Sequence, residues 1–127
     1  MSVGVQKLDD QHKLMIDEIA ELYLIRKDRD AGNIRRLFLL LIDNVIEHFS
    51  NEEIHMKNLQ YNKVNDHIEV HRTFVSDIKN MADTLNSKDV FEIGDNYLNF
   101  IARWLGNHIL VEDKDYAMYA QHRQNLP

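Results

Sequence analysis

The chain has 127 residues, no cysteine, and 21 acidic against 15 basic residues, for a net charge of −6. This length is typical of one domain that folds without disulfides, and the lack of cysteine excludes thiolate zinc sites and cysteine nucleophiles. The negative charge disfavours nucleic acid as a partner, and no apolar run reaches the roughly 20 residues that span a bilayer. We therefore expect a single domain over residues 1–127, with a cytoplasmic location and no membrane segment.

The residues that break helices are scarce in this chain. The only proline is the last residue, and there are four glycines, so little interrupts helix formation. Apolar residues recur at three- and four-residue steps along four stretches, which is the period of an amphipathic helix. After an arm at residues 1–8, we expect helices at about residues 10–30, 34–60, 66–86 and 88–119. Short connections between them predict an all-α, up-down-up-down four-helix bundle with a core able to hold a metal site.

Two pairs of side chains on neighbouring helices indicate such a site. His48 and Glu52 are four residues apart, and so are His67 and His71. On a helix this spacing places two side chains about 40° apart around the axis and about 6 Å apart along it, so they share one face. One such pair is common by chance, but two pairs on adjacent antiparallel helices predict a site between the helices.

The first and fourth helices offer further candidates: His12, His108 and Asp113. His108 and Asp113 are five residues apart, about 140° around an ideal helix, so they share a centre only if Asp113 bridges two ions or the helix is distorted. A single histidine on a core face is more often a hydrogen-bonded core residue than a ligand. Five imidazoles and two carboxylates buried together without a metal would be costly, and seven ligands suit two ions better than one tetrahedral zinc.

The donor set favours a pair of iron ions. Imidazole-rich ligation suits iron, copper, nickel or zinc, and carboxylates suit iron and manganese; spacing alone leaves manganese and zinc open. Residues 67–71 differ from a zincin helix because the glutamate does not directly follow the first histidine. A single Glu-x-x-His occurs, at residues 52–55, whereas ferritin-like centres use two. We expect Glu53, Glu69 and His55 to face solvent.

Four segments, in this order, resemble a bacterial hemerythrin. They are residues 9–12 (Asp-Asp-Gln-His), 48–53 (His-Phe-Ser-Asn-Glu-Glu), 67–71 (His-Ile-Glu-Val-His) and 104–109 (Trp-Leu-Gly-Asn-His-Ile), the last followed by Asp113. Together they span nearly the whole chain. The resemblance implies reversible dioxygen binding at a non-haem di-iron centre.

The resemblance also implies a role for each candidate ligand. One iron has all its protein positions filled by three histidines, His67, His71 and His108. The other iron is held by two histidines, His12 and His48, and keeps an open position for dioxygen. Two carboxylates, Glu52 and Asp113, bridge both irons beside an oxo or hydroxo group.

Apolar side chains line the oxygen pocket in the family. The corresponding residues here are Met15, Phe49, Trp104, Leu105 and Ile109. A dry pocket excludes water and keeps oxygen binding reversible, although plain core packing would use the same residues. Tyr116, three residues after Asp113, is expected to hydrogen-bond near the centre.

The resemblance implies an oxygen carrier, or the oxygen- or redox-sensing domain of a larger signalling protein with an output domain as partner. The alternative is an enzyme, a di-iron peroxidase or one that handles nitric oxide or peroxide. It would need proton donors in a pocket whose expected lining is largely apolar. A third hypothesis, iron storage, would need a carboxylate-lined entry path that the sequence does not show clearly. We therefore expect an oxygen-binding protein rather than an enzyme.

Overall fold

The computed structural model describes residues 6–87, 90–108 and 118. Within these ranges the chain forms four α-helices and one 3₁₀ turn: α1 (Gln6–Ile25), the 3₁₀ turn (Arg26–Asp28), α2 (Ala31–Asn58), α3 (Val64–Ser87) and α4 (Val90–Asn107). Each helix packs against the next one along the chain, and α4 also packs against α1 and α2. The predicted all-α four-helix bundle is confirmed. In the part of the chain that is described, no helix combines the length and apolarity needed to cross a membrane.

An apolar core fills the bundle towards the end where α1 joins α2. It includes side chains from every helix that are at most 2% exposed: Leu22, Phe38, Leu41, Ile78 and Leu98. Burying one large apolar side chain contributes roughly 1.5–3 kcal/mol. This packing holds the four helices in register and so fixes where their polar side chains lie towards the other end.

The first helix starts earlier than expected, because α1 begins at Gln6. Residues 6–8, expected in the arm, are therefore helical. Leu8 is buried and lies four residues before His12, so it extends the inward face of α1 by one turn. The amide of Gln6 also donates to the Asp10 carboxylate at 2.7 Å, an interaction one turn along the helix. Both contacts favour helix over an extended arm.

The connection between α1 and α2 is tighter than expected. Residues 31–33, expected in the connection between the first two helices, form the first turn of α2, because Asp30 caps that helix. The Asp30 carboxylate accepts a hydrogen bond from the backbone N–H of Asn33 at 3.1 Å. An aspartate cap contributes about 1 kcal/mol. The chain reverses just before it, at Arg29, whose φ is 55°.

A Schellman motif ends α2. Gln60 has a φ of 55°, its N–H donates to the carbonyl of Lys57 at 3.1 Å, and the N–H of Tyr61 donates to the carbonyl of Met56 at 3.0 Å. Met56 and Tyr61 are both buried, as the apolar pair of this motif usually is. The motif fixes the direction in which the chain leaves α2 and enters α3, and α3 begins soon afterwards, at Val64.

Candidate metal centre

Six of the seven candidate ligands meet inside the bundle. Their side chains come from α1, α2 and α3 and from the residue directly after α4, and each is at most 4% exposed: His12, His48, Glu52, His67, His71 and His108. The seventh candidate, Asp113, lies outside the described residues, as do Ile109 and Tyr116. The helical spacing that predicted two pairs on facing helices is thus realised by α2 and α3.

A group of three histidines surrounds one oxygen of Glu52. Its Oε1 atom lies 3.1 Å from Nε2 of His71, 3.4 Å from Nε2 of His108 and 3.6 Å from Nε2 of His67. The ligand atoms of these four residues lie within 4.8 Å of one another. Four converging donors at that separation can hold one metal ion. We call this set the three-histidine group.

A group of two histidines faces the other oxygen of the same carboxylate. The Oε2 atom of Glu52 lies 3.3 Å from Nε2 of His48 and 4.0 Å from Nε2 of His12. These three residues also have ligand atoms within 4.8 Å of one another. This two-histidine group and the three-histidine group therefore meet at Glu52, which offers one oxygen to each.

The polar atoms in this interior are better placed to bind a cation than to form hydrogen bonds with one another. The Nε2 atoms of His12 and His48 approach to 3.1 Å, and those of His71 and His108 to 3.3 Å. Oε2 of Glu52 is buried and accepts no hydrogen bond of good geometry from a described residue. A buried acceptor left in that state costs about 1–3 kcal/mol or more, and a bound cation removes the cost.

Glu52 is held in the form that binds metals. Burial of its carboxylate raises the pKa, but the neighbouring imidazoles of His108, His48 and His71 outweigh that effect, and the pKa lies well below its usual range. An ionised carboxylate is the ligand form, because a metal ion must otherwise displace a proton.

Two of these histidines are oriented by polar side chains outside the groups. Nδ1 of His48 lies 2.9 Å from Oε1 of Gln11, and Nδ1 of His71 lies 3.0 Å from Oε2 of Glu53. Because these oxygens only accept hydrogen bonds, Nδ1 is the donor in each pair. In the neutral imidazole Nε2 then carries the lone pair on the side that faces Glu52, and this is the tautomer that a metal ligand requires.

Sequence reasoning missed Gln11 and misplaced Glu53. The expectation that Glu53 faces solvent is wrong, since its side chain is 23% exposed and paired with His71. Each of the two residues directly adjoins a ligand in sequence, so it points about 100° away from that ligand and towards a neighbouring helix. That adjacency is the signal that could have found them. Glu69 is exposed as expected, whereas His55 is partly buried, which lowers its pKa.

Aromatic rings cover one side of the three-histidine group. Of the expected pocket residues, Met15, Phe49 and Leu105 are buried and Trp104 is half-buried. Trp104 stacks on the ring of His108, with 4.9 Å between ring centroids and 16° between planes. Phe49 lies between His71 and Trp104, 4.0 Å and 5.6 Å from their centroids. The structure therefore places these two aromatic side chains directly against imidazoles of the site.

Known proteins resemble this chain over most of its length. The family model "Hemerythrin HHE cation binding domain" matches residues 3–120. A bacteriohemerythrin of Pseudomonas aeruginosa (strain LESB58) is 25% identical over 122 residues, which are 96% of this chain and 78% of the relative. A hemerythrin-like protein of Naegleria gruberi is 30% identical over 114 residues, 90% of this chain and 83% of the relative.

The fold also resembles that of a solved structure. The crystal structure of a hemerythrin point mutant superposes with a TM-score of 0.82 at 26% identity, covering 91% of this chain and 87% of that one. The family model, the relatives and the solved structure agree with a buried cluster of histidines and a shared glutamate that can hold metal ions. This chain belongs to the hemerythrin family.

Proposed function

We propose that this chain binds dioxygen reversibly at a non-haem di-iron centre, held by the two groups of side chains that share Glu52. Membership of the hemerythrin family supports oxygen binding at a di-iron site. The observation that carries the assignment of residues is the division of the Glu52 carboxylate. One oxygen lies 3.1 Å from His71 and the other 3.3 Å from His48, as expected of a carboxylate that bridges two ions.

The two ions have unequal numbers of histidine ligands in this proposal. His67, His71 and His108 hold one ion, while His12 and His48 hold the other. Glu52 would be shared by both ions, and we assign Asp113 as the second carboxylate that would help to hold them. When bound, the iron pair supplies the electrons that hold dioxygen. The ion held by two histidines would have one protein ligand fewer than the other ion, which would leave room for a small ligand.

The protein's part in reversible binding is to keep the centre dry. All six described ligands are buried, and Met15, Phe49 and Leu105 are buried apolar residues of the bundle interior. An apolar interior does not solvate charge, so separating a charged species such as superoxide from the centre and moving it through the lining is costly, whereas neutral dioxygen crosses the lining without that cost. An apolar lining therefore favours the return of dioxygen over irreversible oxidation of the metal.

The same lining favours binding over catalysis. Met15, Phe49, Trp104 and Leu105 offer no strong acid or base, and a peroxidase or a nitric oxide reductase needs a proton donor within reach of its substrate. The proposal covers an oxygen carrier and an oxygen-sensing domain alike, because both depend on the same reversible step.

Spectroscopy tests the proposal. Protein loaded with ferrous iron without air should contain about two ions per chain, consistent with the count of ligands. On exposure to oxygen it should develop a visible charge-transfer band that disappears under vacuum, over repeated cycles. Irreversible bleaching with turnover of peroxide would instead support the peroxidase alternative.

A matched pair of variants tests the residue assignment. His48→Ala should lose oxygen binding while circular dichroism still shows a folded bundle. His55→Ala removes a partly buried histidine of α2 that belongs to neither group and should bind oxygen as the wild type does. Normal oxygen binding by His48→Ala would show that the ion with the open position is held elsewhere.

A further inference from the structure

The two histidine groups differ in the charge of the side chain that accepts a hydrogen bond from Nδ1 of one of their histidines. Nδ1 of His71 donates to a carboxylate, Glu53, at 3.0 Å. Nδ1 of His48 donates to an amide, Gln11, at 2.9 Å. The two distances are nearly equal, so the difference between the contacts is one of chemistry. One imidazole has an anionic acceptor and the other a neutral one.

Each of these histidines belongs to a different ion of the proposed centre. Nε2 of His71 faces Oε1 of Glu52 at 3.1 Å, and Nε2 of His48 faces Oε2 of the same carboxylate at 3.3 Å. Glu53 therefore acts on the three-histidine group alone, and Gln11 on the two-histidine group alone.

A hydrogen bond to a carboxylate makes an imidazole a stronger metal ligand. Hydrogen bonds with one charged partner are roughly twice as strong as neutral ones, so His71 gains more donor strength from Glu53 than His48 gains from Gln11. A stronger donor stabilises the higher oxidation state of its metal ion. The ion in the three-histidine group should then be the easier of the two to oxidise.

We propose that Glu53 and Gln11 are positioning residues that give the two metal ions different reduction potentials, lower for the ion bound by His71 and higher for the ion bound by His48. The proposal rests on the di-iron centre proposed above and adds the residues that distinguish its two ions. It assigns a redox role to two side chains that contact no metal.

The side chain of Glu53 meets solvent as well as His71. Its side chain lines an open groove of about 260 Å³ between α2 and α3, together with Ser50, Ile68 and Arg72. Water can therefore solvate one side of the carboxylate while the other side meets His71. Arg72 forms its ion pair with Glu69 on the surface.

Substitution by glutamine separates charge from position. In Glu53→Gln the side-chain oxygen can still accept the hydrogen bond from His71, and the link between α2 and α3 is kept, but the negative charge is lost. Gln11→Glu is the reciprocal change and introduces a charge next to His48. Glu69→Gln is the matched control, because it removes an exposed charge from α3 that contacts neither group.

Spectroelectrochemistry on the iron-loaded full chain gives the readout. Relative to wild type and Glu69→Gln, we expect Glu53→Gln to make one of the two reduction steps easier, with a more positive midpoint. Gln11→Glu should move the other step to a more negative midpoint. A role in packing alone would change the free energy of unfolding and leave both potentials unchanged.

Binding of Co(II) to the apoprotein, followed by calorimetry and visible absorption, covers variants that load iron poorly. Glu53→Ala should lose about 10–100-fold in affinity at one of two sites, the usual effect of losing an outer partner, and Glu53→Gln should recover part of it. The inference would be overturned if Glu53→Gln bound two irons with wild-type potentials, or if Glu53→Ala bound Co(II) with unchanged affinity. Either result would leave the proposed oxygen-binding function standing. Loss of reversible oxygen binding in the wild type with shifted potentials in the variants would overturn the proposed function instead.

Discussion

The ring of Phe49 lies flat against the imidazole of His71, with 4.0 Å between the ring centroids and 5° between the ring planes. The edge of the same ring meets His108 at 5.4 Å and 65°. Phe49 is buried and belongs to the apolar core as well. A single side chain therefore connects core packing to the orientation of two imidazoles in the three-histidine group.

Phe49→Ala should destabilise the fold and the centre together. Replacing a buried phenylalanine by alanine costs about 3–5 kcal/mol, because apolar contacts are lost and a cavity remains. Urea denaturation measures that cost, and iron-loaded protein should also oxidise irreversibly faster as water reaches the site. The control is Ile54→Ala on the same helix, whose side chain is 57% exposed and whose loss should change stability by about 0.5 kcal/mol or less. Similar losses in both variants would show that Phe49 does not support the site.

Glu52→Gln should abolish the pairing of the two metal positions. The substitution is nearly isosteric, but it removes the charge and one of the two oxygens that face the histidine groups. We expect fewer than two irons per chain and little increase in melting temperature when metal is added, because bound metal stabilises only the state that binds it. Glu69→Gln serves as the control. Two irons bound with normal affinity by Glu52→Gln would contradict the assignment of a shared ligand.

Gln60→Gly should stabilise the protein. Gln60 has a φ of 55° at the end of α2, and this left-handed conformation costs a residue with a Cβ atom about 1–2 kcal/mol. Glycine avoids that cost but loses roughly 0.5–1 kcal/mol, because its unfolded chain has more conformational entropy to lose on folding. The net gain should be about 0.5–1 kcal/mol by urea denaturation. Gln60→Ala keeps the Cβ atom and should leave the stability close to that of the wild type. Equal effects of glycine and alanine would mean that the left-handed backbone at Gln60 is not strained.

The number of helices and the inward position of six candidate ligands could be predicted because both depend on the period of a single helix. Spacings of four residues within α2 and α3 determine which side chains share a face, whatever the neighbouring helix does. The helix ends were harder to predict, since they depend on local hydrogen bonds. Asp30 caps α2 by accepting a hydrogen bond from the N–H of Asn33, so the helix starts at Ala31 rather than at the expected residue 34.

The contacts between helices could not be derived from spacing alone. Glu53 and Gln11 lie beside ligands in sequence, but whether such a side chain reaches another helix depends on how closely the helices pack. Glu18 is a similar case, because it is a charged residue that is only 7% exposed. Its partner Asn44 is 26 residues away along the chain, and nothing in the period of α1 indicates that contact. The roles of Asp113, Ile109 and Tyr116 stay predictions.

The Glu18 carboxylate is held between α1 and α2. Both of its oxygens lie 2.9 Å from the amide nitrogen of Asn44, which donates to them. Burial raises the pKa of Glu18, the hydrogen bond from Asn44 lowers it, and the charge of Glu21 raises it, so that the pKa lies above its ordinary value of 4.5. The folded protein therefore binds a proton at Glu18 more tightly than the unfolded chain does.

Glu18→Gln should stabilise the protein by an amount that depends on pH. The contribution of the wild-type carboxyl is most favourable below pH 4.5, the ordinary pKa, and is lost as the pH rises through the higher folded pKa. Glutamine has no such loss and can still accept the hydrogen bond from Asn44. The difference in free energy of unfolding, variant minus wild type, should therefore grow from mildly acidic pH towards neutral pH.

Metal binding adds its own pH dependence to both proteins, and it cancels in this difference. Glu47→Gln, on an exposed position of α2, should show no such trend. A difference for Glu18→Gln that stays constant with pH would mean that the carboxyl is as well solvated in the bundle as in the unfolded chain.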